Sequence, residues 1–270
     1  MLNPRSVLIT GANRGIGLEL TRQLLRLTDP PEHVFATCRH PESATELKII
    51  ASANPSVHIL KLDVTQHDHY DDVISAVQTC LNGAGLNLLI NNAGIGLRES
   101  SDFLHVTAQN MRDAFETNAL APLMLSKAFF PLLKMAVGPN EAETSMSCSR
   151  AAIINISSKK GSCSTNTKLR MYRSPAQDGA VKGDFGGGRY PYRTSKATLN
   201  MVTSNMAVDL KRHGILSVAL HPGWVRTTLG GPDAPIDVRH SVEGLITVMG
   251  SLNEDSTGTF HDYEGVDIEW

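Results

Sequence analysis

The sequence predicts an α/β fold, a doubly wound parallel sheet of about seven strands with helices on both faces. Short apolar runs alternate along the chain with longer amphipathic ones. That order implies right-handed crossovers and parallel strands. The apolar runs are continuous rather than alternating, as strands covered on both faces should be. The first run passes through a glycine-rich turn, Thr10-Gly11-Ala12-Asn13-Arg14-Gly15-Ile16-Gly17, straight into the first helix.

In chain order, Ser6–Thr10 reads as a strand and Ile16–Leu27 as a helix with Ile16, Leu20, Leu24 and Leu27 on one stripe. A strand at His33–Cys38, a helix near Ala44–Ala53, a strand at Val57–Leu62 and a helix at His69–Leu81 follow. Leu86–Asn91 is the fourth strand, Thr107–Leu133 a long helical stretch and Ala151–Ile156 the fifth strand. Tyr192–His213 is a helix, Leu216–Leu220 the sixth strand, and Val238–Ser251 and Thr257–Tyr263 close the series as helix and strand. Gly138–Arg150 reads as a polar loop. Lys159–Pro191 is a longer insertion rich in Gly, Lys and Arg; segments of this length inside a compact domain are lids or flexible insertions. With no internal repeat or linker, residues 1–270 are expected to form one domain.

Composition narrows the function. The chain has 25 Lys and Arg against 27 Asp and Glu, a formal charge of -2, so no positive excess gathers nucleic-acid phosphates. Cys38, Cys80, Cys148 and Cys163 show no metal or redox spacing, and the ten histidines are scattered, so no metal is expected. The first strand begins a few residues after Met1, no apolar stretch is read as a membrane span, and the ending is no lipidation signal. The cytosol is the expected compartment.

The turn from Gly11 to Gly17 points to a dinucleotide. Its glycines let the backbone turn tightly, approach a pyrophosphate and pack the helix on the sheet, while the helix N-terminus offers free N–H groups. In this strand–turn–helix setting the fold becomes Rossmann-type. An NAD enzyme carries a carboxylate at the end of the second strand; here the strand ends Ala36-Thr37-Cys38-Arg39. Arg39, with Arg14 beside it, matches the 2′-phosphate of NADPH.

Tyr192-Arg193-Thr194-Ser195-Lys196 sets a phenol and an ammonium one helical turn apart. Asn91-Asn92-Ala93-Gly94 after the fourth strand and Ser157-Ser158 after the fifth accompany it. With Asp63-Val64, Asn118 and Pro222-Gly223, these stand in the order of the short-chain dehydrogenase/reductase family, which the chain resembles over nearly its whole length in that family's compact single-domain branch. Within it the chain is most similar to the sniffer-like carbonyl reductases and the C-factor group, through Asn87–Gly96, Tyr192–Asn200, His221–Thr227 and the ending Asp262-Tyr263-Glu264-Gly265…Trp270.

The resemblance implies NADPH-dependent reduction of a small carbonyl compound, an aldehyde, ketone or quinone. It assigns adenine to Asp63 and Val64, the ribose side of the groove to Asn91 and Gly94, with Ala93 between them, and the carboxamide to Thr227 and the Val225 backbone beyond Pro222-Gly223. Tyr192 would protonate the carbonyl oxygen, Ser158 would bond that oxygen, Lys196 would bind the nicotinamide ribose and lower the phenol's pKa, and Asn118 would anchor a water-linked proton path. A free phenol titrates near ~10, and a neighbouring ammonium favours its ionised form. Ser157 is the alternative to Ser158, since strand alternation turns only one inward. The insertion between Ser158 and Tyr192 is longer than the family's usual connection and is expected beside the substrate. Two other functions stay open: a nucleotide-binding redox sensor with little turnover, and an epimerase or dehydratase, against which the short segment after Pro222 argues. A homodimer or homotetramer through Thr107–Leu133 and Tyr192–His213 is also implied.

Overall fold

A computed structural model describes residues 1–96, 101–138, 145–167 and 188–270. Seven parallel strands form one sheet: β1 (Ser6–Thr10), β2 (His33–Cys38), β3 (Val57–Lys61), β4 (Leu88–Asn91), β5 (Ala152–Ile156), β6 (Leu216–His221) and β7 (Phe260–Asp262). Their spatial order is β3-β2-β1-β4-β5-β6-β7. The chain leaves β1 in one direction as far as β3 and returns to the other side of β1 with β4. A crevice therefore opens between β1 and β4, at the carboxyl ends of the strands, where ligands bind in sheets of this kind.

Strand alternation divides the core in two. Val7 and Ile9 of β1, with Val34, Ala36, Leu88, Ile90 and Ile154, pack under α1 (Gly15–Leu24), α2 (Thr45–Ala53) and α8 (Val238–Ser251) through Leu20, Leu24, Leu47, Val242 and Leu245. Leu8, Phe35, Leu89 and Ile153 face α3 (Tyr70–Leu81), α5 (Ala121–Val137) and α7 (Tyr190–Lys211) through Val77, Leu125, Phe129, Leu133 and Met206. Full burial of a side chain such as Phe129 stabilises by about 1.5–3 kcal/mol.

The long helical stretch expected over Thr107–Leu133 is three pieces: α4 (Ala108–Phe115), a π turn (Glu116–Leu120) and α5. Against the sequence expectation, Ala108–Val137 is long and apolar enough to cross a bilayer by length and composition; its Leu125, Phe129, Leu132, Leu133 and Val137 belong to the core described above. The helix expected from Tyr192 begins at Tyr190, with Pro191 in its first turn, where the missing N–H costs nothing. After Ser158 the chain makes a 3-10 turn (Lys159–Gly161) and α6 (Cys163–Thr167). The middle of the expected insertion, 168–187, and part of the loop before β5, 139–144, lie outside the described residues.

Candidate active site

A cleft of about 1130 Å³ runs across the carboxyl ends of the strands. At its nucleotide end the glycine turn is shaped by geometry only glycine adopts readily. Gly11 and Gly15 have φ of +66° and +54°. A Cβ on Gly17 would stand 2.4 Å from the Gly11 carbonyl oxygen, so this glycine brings α1 onto the turn rather than lining the cleft. The turn is latched across the crevice: Thr10 Oγ1 accepts from Asn92 N (2.9 Å) and Ala93 N (3.0 Å), and Asn92 Nδ2 donates to Thr10 O (2.8 Å). Asn13, Arg14, Gly15 and Ile16 line this end with Arg39, Asp63 and Val64. No carboxylate stands at Arg39's position, and Asp63 Oδ1 is engaged by Thr65 N and Oγ1 (3.0 and 2.8 Å).

The Asn91 side chain does not face the cleft. Its buried amide donates away from the cleft, to Asn155 Oδ1 (2.9 Å) and Ser126 Oγ (3.1 Å), and Asn155 passes the chain on to Thr203 of α7. It ties β4 to β5 beneath the site, while Asn92 and Ala93 form the wall. Gly94 is where the wall needs a bare Cα: a Cβ there would lie 3.1 Å from Asn118 Oδ1 and 3.8 Å from Lys196 Nζ.

The catalytic end gathers side chains from three elements. Asn118 sits fully buried in the π turn, its Oδ1 accepting from Ile95 N (2.9 Å) and its Nδ2 donating to Ile95 O (2.9 Å) and Ser195 Oγ (3.0 Å). Ala121 N–H reaches back five residues to the Glu116 carbonyl, and Pro122 has no N–H to give to the Asn118 carbonyl. Such single π turns inside helices recur at functional sites. Lys196 is buried, its Nζ donating to Ile156 O (2.7 Å) and lying 6.0 Å from the Tyr192 ring centre. Ser157 Oγ donates to Asn200 Oδ1 (2.5 Å) on α7, whereas Ser158 Oγ accepts from Lys160 N (3.2 Å) and is the hydroxyl that bears on the Tyr192 phenol. Of the two serines, Ser158 faces the tyrosine.

Burial pushes the Tyr192 phenol above its ordinary value; the Ser158 hydroxyl and the Arg189 guanidinium oppose that rise. The Lys196 ammonium donates to the Ile156 carbonyl, and burial brings its own pKa down to about 8. At neutral pH Tyr192 is a protonated phenol, the form a proton donor needs.

Past β6, Pro222, Gly223, Val225 and Thr227 line the cleft. Thr227 Oγ1 accepts from Gly230 N (2.9 Å), and Val225 pairs with Ile236 in an isolated bridge that closes the segment on itself. Trp224 also lines the cleft, with its indole N–H donating to Gly230 O (2.8 Å).

The family model for the short chain dehydrogenases matches residues 5–174. The chain belongs to that family. Among curated relatives it is 34% identical to the C-signal of Myxococcus xanthus over 186 residues, 68% of this chain and 93% of that one. Among solved structures it is similar to the carbonyl reductase Sniffer of D. melanogaster (TM-score 0.89, 40% identity, 99% of this chain and 100% of that chain). It is likewise similar to an NADPH-bound carbonyl reductase from chicken fatty liver (TM-score 0.87, 42% identity, all of both chains).

Three residues of the site in this short chain dehydrogenase escape sequence reasoning. Asn92 reads there only as part of a motif, although it holds the glycine turn. Gly230 admits the Val225 carbonyl, which a Cβ would meet at 1.8 Å. His221 lines the cleft with a buried Nδ1 that makes no hydrogen bond. Burial is the first cause of its lowered pKa, about 4, with Lys159 and Lys160 adding to it and Asp262 opposing. Only Asn92 carries a signal, its place beside Thr10 once β1 and β4 are neighbours.

Proposed function

We propose that this oxidoreductase reduces small carbonyl compounds, aldehydes, ketones or quinones, with NADPH. The observation that carries the reading is that Ser158, Tyr192 and Lys196 line the end of a cleft that begins at the glycine turn, with Asn118 buried behind them on Ser195. The carbonyl reductase structures named above, one of them NADPH-bound, support it. The groove fits a dinucleotide at two places on this chain: the glycine turn that brings α1 close, and the bare Gly94 beside Lys196 and Asn118. Arg39 and Arg14 would hold the 2′-phosphate, Asp63 and Val64 the adenine, and Thr227 with the Val225 backbone the carboxamide.

The bound nicotinamide supplies the hydride. Ser158 donates a hydrogen bond to the carbonyl oxygen, where negative charge develops. Tyr192 gives that oxygen its proton as a general acid. Lys196 would bind the nicotinamide ribose, and Asn118, held by Ile95 and Ser195, would anchor a water-linked proton path. Residues 1–270 act as one domain in this reading, with the segment between Ser158 and Tyr192 bordering the substrate; its described ends, Lys159, Lys160, Thr165 and Arg189, line the cleft. The cytosol is the compartment this reading assigns, and no nucleic acid or membrane takes part in it.

One observation favours a second reading, a nucleotide-binding signalling protein with little turnover: the name of the Myxococcus xanthus relative. Binding alone gives no reason for a half-buried phenol beside Ser158. Mixing the purified chain with NADPH and a panel of aldehydes, ketones and quinones separates the two. Loss of nicotinamide absorbance is expected with at least one class; tight NADPH binding with no oxidation across the panel would establish the signalling reading instead.

A further inference from the structure

None of the chemistry described so far uses the stretch Asp262-Tyr263-Glu264-Gly265…Trp270. The chain turns after β7 and runs back along it: Asp262 N donates to Val266 O (2.9 Å) and Ile268 N to Phe260 O (2.7 Å). Ile268 is buried with Phe260 and with Ala219 of β6. The Trp270 ring then stacks on Phe260, with ring centres 5.4 Å and planes 18° apart. β6 borders β5, the strand that leads into Ser158.

This arm reaches the loop that leaves Ser158. Ser162 is buried; its hydroxyl donates to Glu269 O and accepts from Thr165 N (3.2 Å). Ser164 N donates to Trp270 O (3.1 Å). Two bonds from different residues therefore fix the start of α6 to the sheet edge. The short path from that anchor back to the catalytic serine is tied at each step. Thr165 Oγ1 donates to Lys159 O (3.0 Å), Gly161 N to Ser158 O (2.8 Å) and Lys160 N to Ser158 Oγ (3.2 Å). Gly161 lets the loop press on α7, where a Cβ would stand 2.6 Å from the Lys196 carbonyl carbon. Lys159, Lys160 and Thr165 line the cleft, whereas Ser162, Glu269 and Trp270 stand behind it.

We propose that Ser162 and Trp270 are positioning residues for Ser158. The arm of residues 267–270, braced by the Trp270–Phe260 stack, holds the 3-10 turn so that the Ser158 hydroxyl stays aimed at the carbonyl oxygen. The sheet alone does not do this: the ladder of β5 ends with Ser157 N donating to Leu220 O (2.8 Å), and Ser158 lies beyond it. A donor aimed at developing charge is effective only when it is fixed before the reaction, and a displacement of about 1 Å costs on the order of a hundredfold. Neither Ser162 nor Trp270 lines the cleft, so both act through Ser158. The proposal rests on the carbonyl reduction proposed above.

The test follows hydride transfer by stopped flow in the full chain, with NADPH and the panel compound that the wild type reduces fastest. Ser162→Ala and Trp270→Ala should each slow the transfer about ten- to a hundredfold with NADPH affinity unchanged. Trp270→Phe, which keeps a ring on Phe260, should recover most of the loss. The decisive measurement is a double-mutant cycle with Ser158→Ala. In that background Ser162→Ala and Trp270→Ala should slow transfer by no more than about twofold, because the hydroxyl they aim is gone. An equal loss in both backgrounds marks a general structural role and overturns the proposal, as does wild-type transfer in Ser162→Ala and Trp270→Ala. Should Trp270→Ala fail to fold, shown by lost NADPH binding, the Ser162→Ala cycle decides, since it removes one hydroxyl and keeps the stacked rings. All of these outcomes leave carbonyl reduction intact. A wild-type chain that oxidises NADPH with no compound of the panel overturns both.

Discussion

At the scale of single residues, Arg39 tests cofactor choice most sharply. It stands at the end of β2, lines the cleft, and has no carboxylate in its place to hold a ribose hydroxyl. Arg39→Asp should weaken NADPH binding by on the order of 1.5–3 kcal/mol for each charge-assisted hydrogen bond it removes, and improve the relative use of NADH. Calorimetry decides it: unchanged NADPH affinity would remove Arg39 from the phosphate site. Lys196 offers a test through pH. Its folded pKa of about 8 lies below the ordinary 10.5, so between those values the unfolded chain binds the extra proton and stability rises with pH. That rise amounts to about 3 kcal/mol, and Lys196→Met should lack it. Urea unfolding of both proteins at neutral and alkaline pH should show the gap between them changing in wild type's favour as pH climbs. A gap independent of pH would mean the ammonium is not buried as described.

At the scale of elements, much of the site was legible because its motifs sit at the carboxyl ends of strands that are themselves plain apolar runs. The glycine turn, Asn91–Gly94, Ser157-Ser158 and Pro222-Gly223 follow β1, β4, β5 and β6, so placing the strands placed the motifs. Three things were not legible. Asn91 and Asn155 are neighbours only through strand register, so no local pattern shows that Asn91 turns into the helix layer. The π turn at Asn118 breaks no hydrophobic period; Pro122 was its one local sign, and a proline near a helix start has other readings. The direction of the Tyr192 shift depends first on burial, which spacing does not reveal. The junction of β1 with α1 also yields a prediction. Gly17→Ala puts a methyl group 2.4 Å from the Gly11 carbonyl oxygen and 2.6 Å from Asn92 Nδ2, so the latch must shift. We expect a folded protein whose NADPH affinity falls at least tenfold, about 1.4 kcal/mol. Equal affinity in a titration followed by nicotinamide fluorescence would show that the close approach of α1 is not needed for binding.

At the scale of the whole molecule, the sheet order sets the cofactor end and the catalytic end on opposite sides of one switch point, joined by a single cleft. The helices that frame the catalytic end also bear exposed apolar side chains, Phe115 and Leu123 on α4 and α5 and Met201 and Val208 on α7. A symmetric pairing through α4, α5 and α7 would cover them, and a homodimer or homotetramer is expected. Sedimentation at micromolar concentration should show it, whereas a lone 29.2 kDa species would reject it.

The central claim is that Tyr192, kept protonated by burial, hands its proton to the carbonyl oxygen as hydride arrives. Tyr192→Phe keeps the ring and its packing and removes that proton; Tyr190→Phe is the control, since Tyr190 is more exposed and is not one turn from Lys196. Stopped-flow measurement of hydride transfer, with NADPH binding measured alongside, tests the claim most directly. Tyr192→Phe should fold, bind NADPH and lose about a hundred- to ten-thousand-fold in the transfer step, while Tyr190→Phe stays active. Hydride transfer at the wild-type rate in Tyr192→Phe would contradict it.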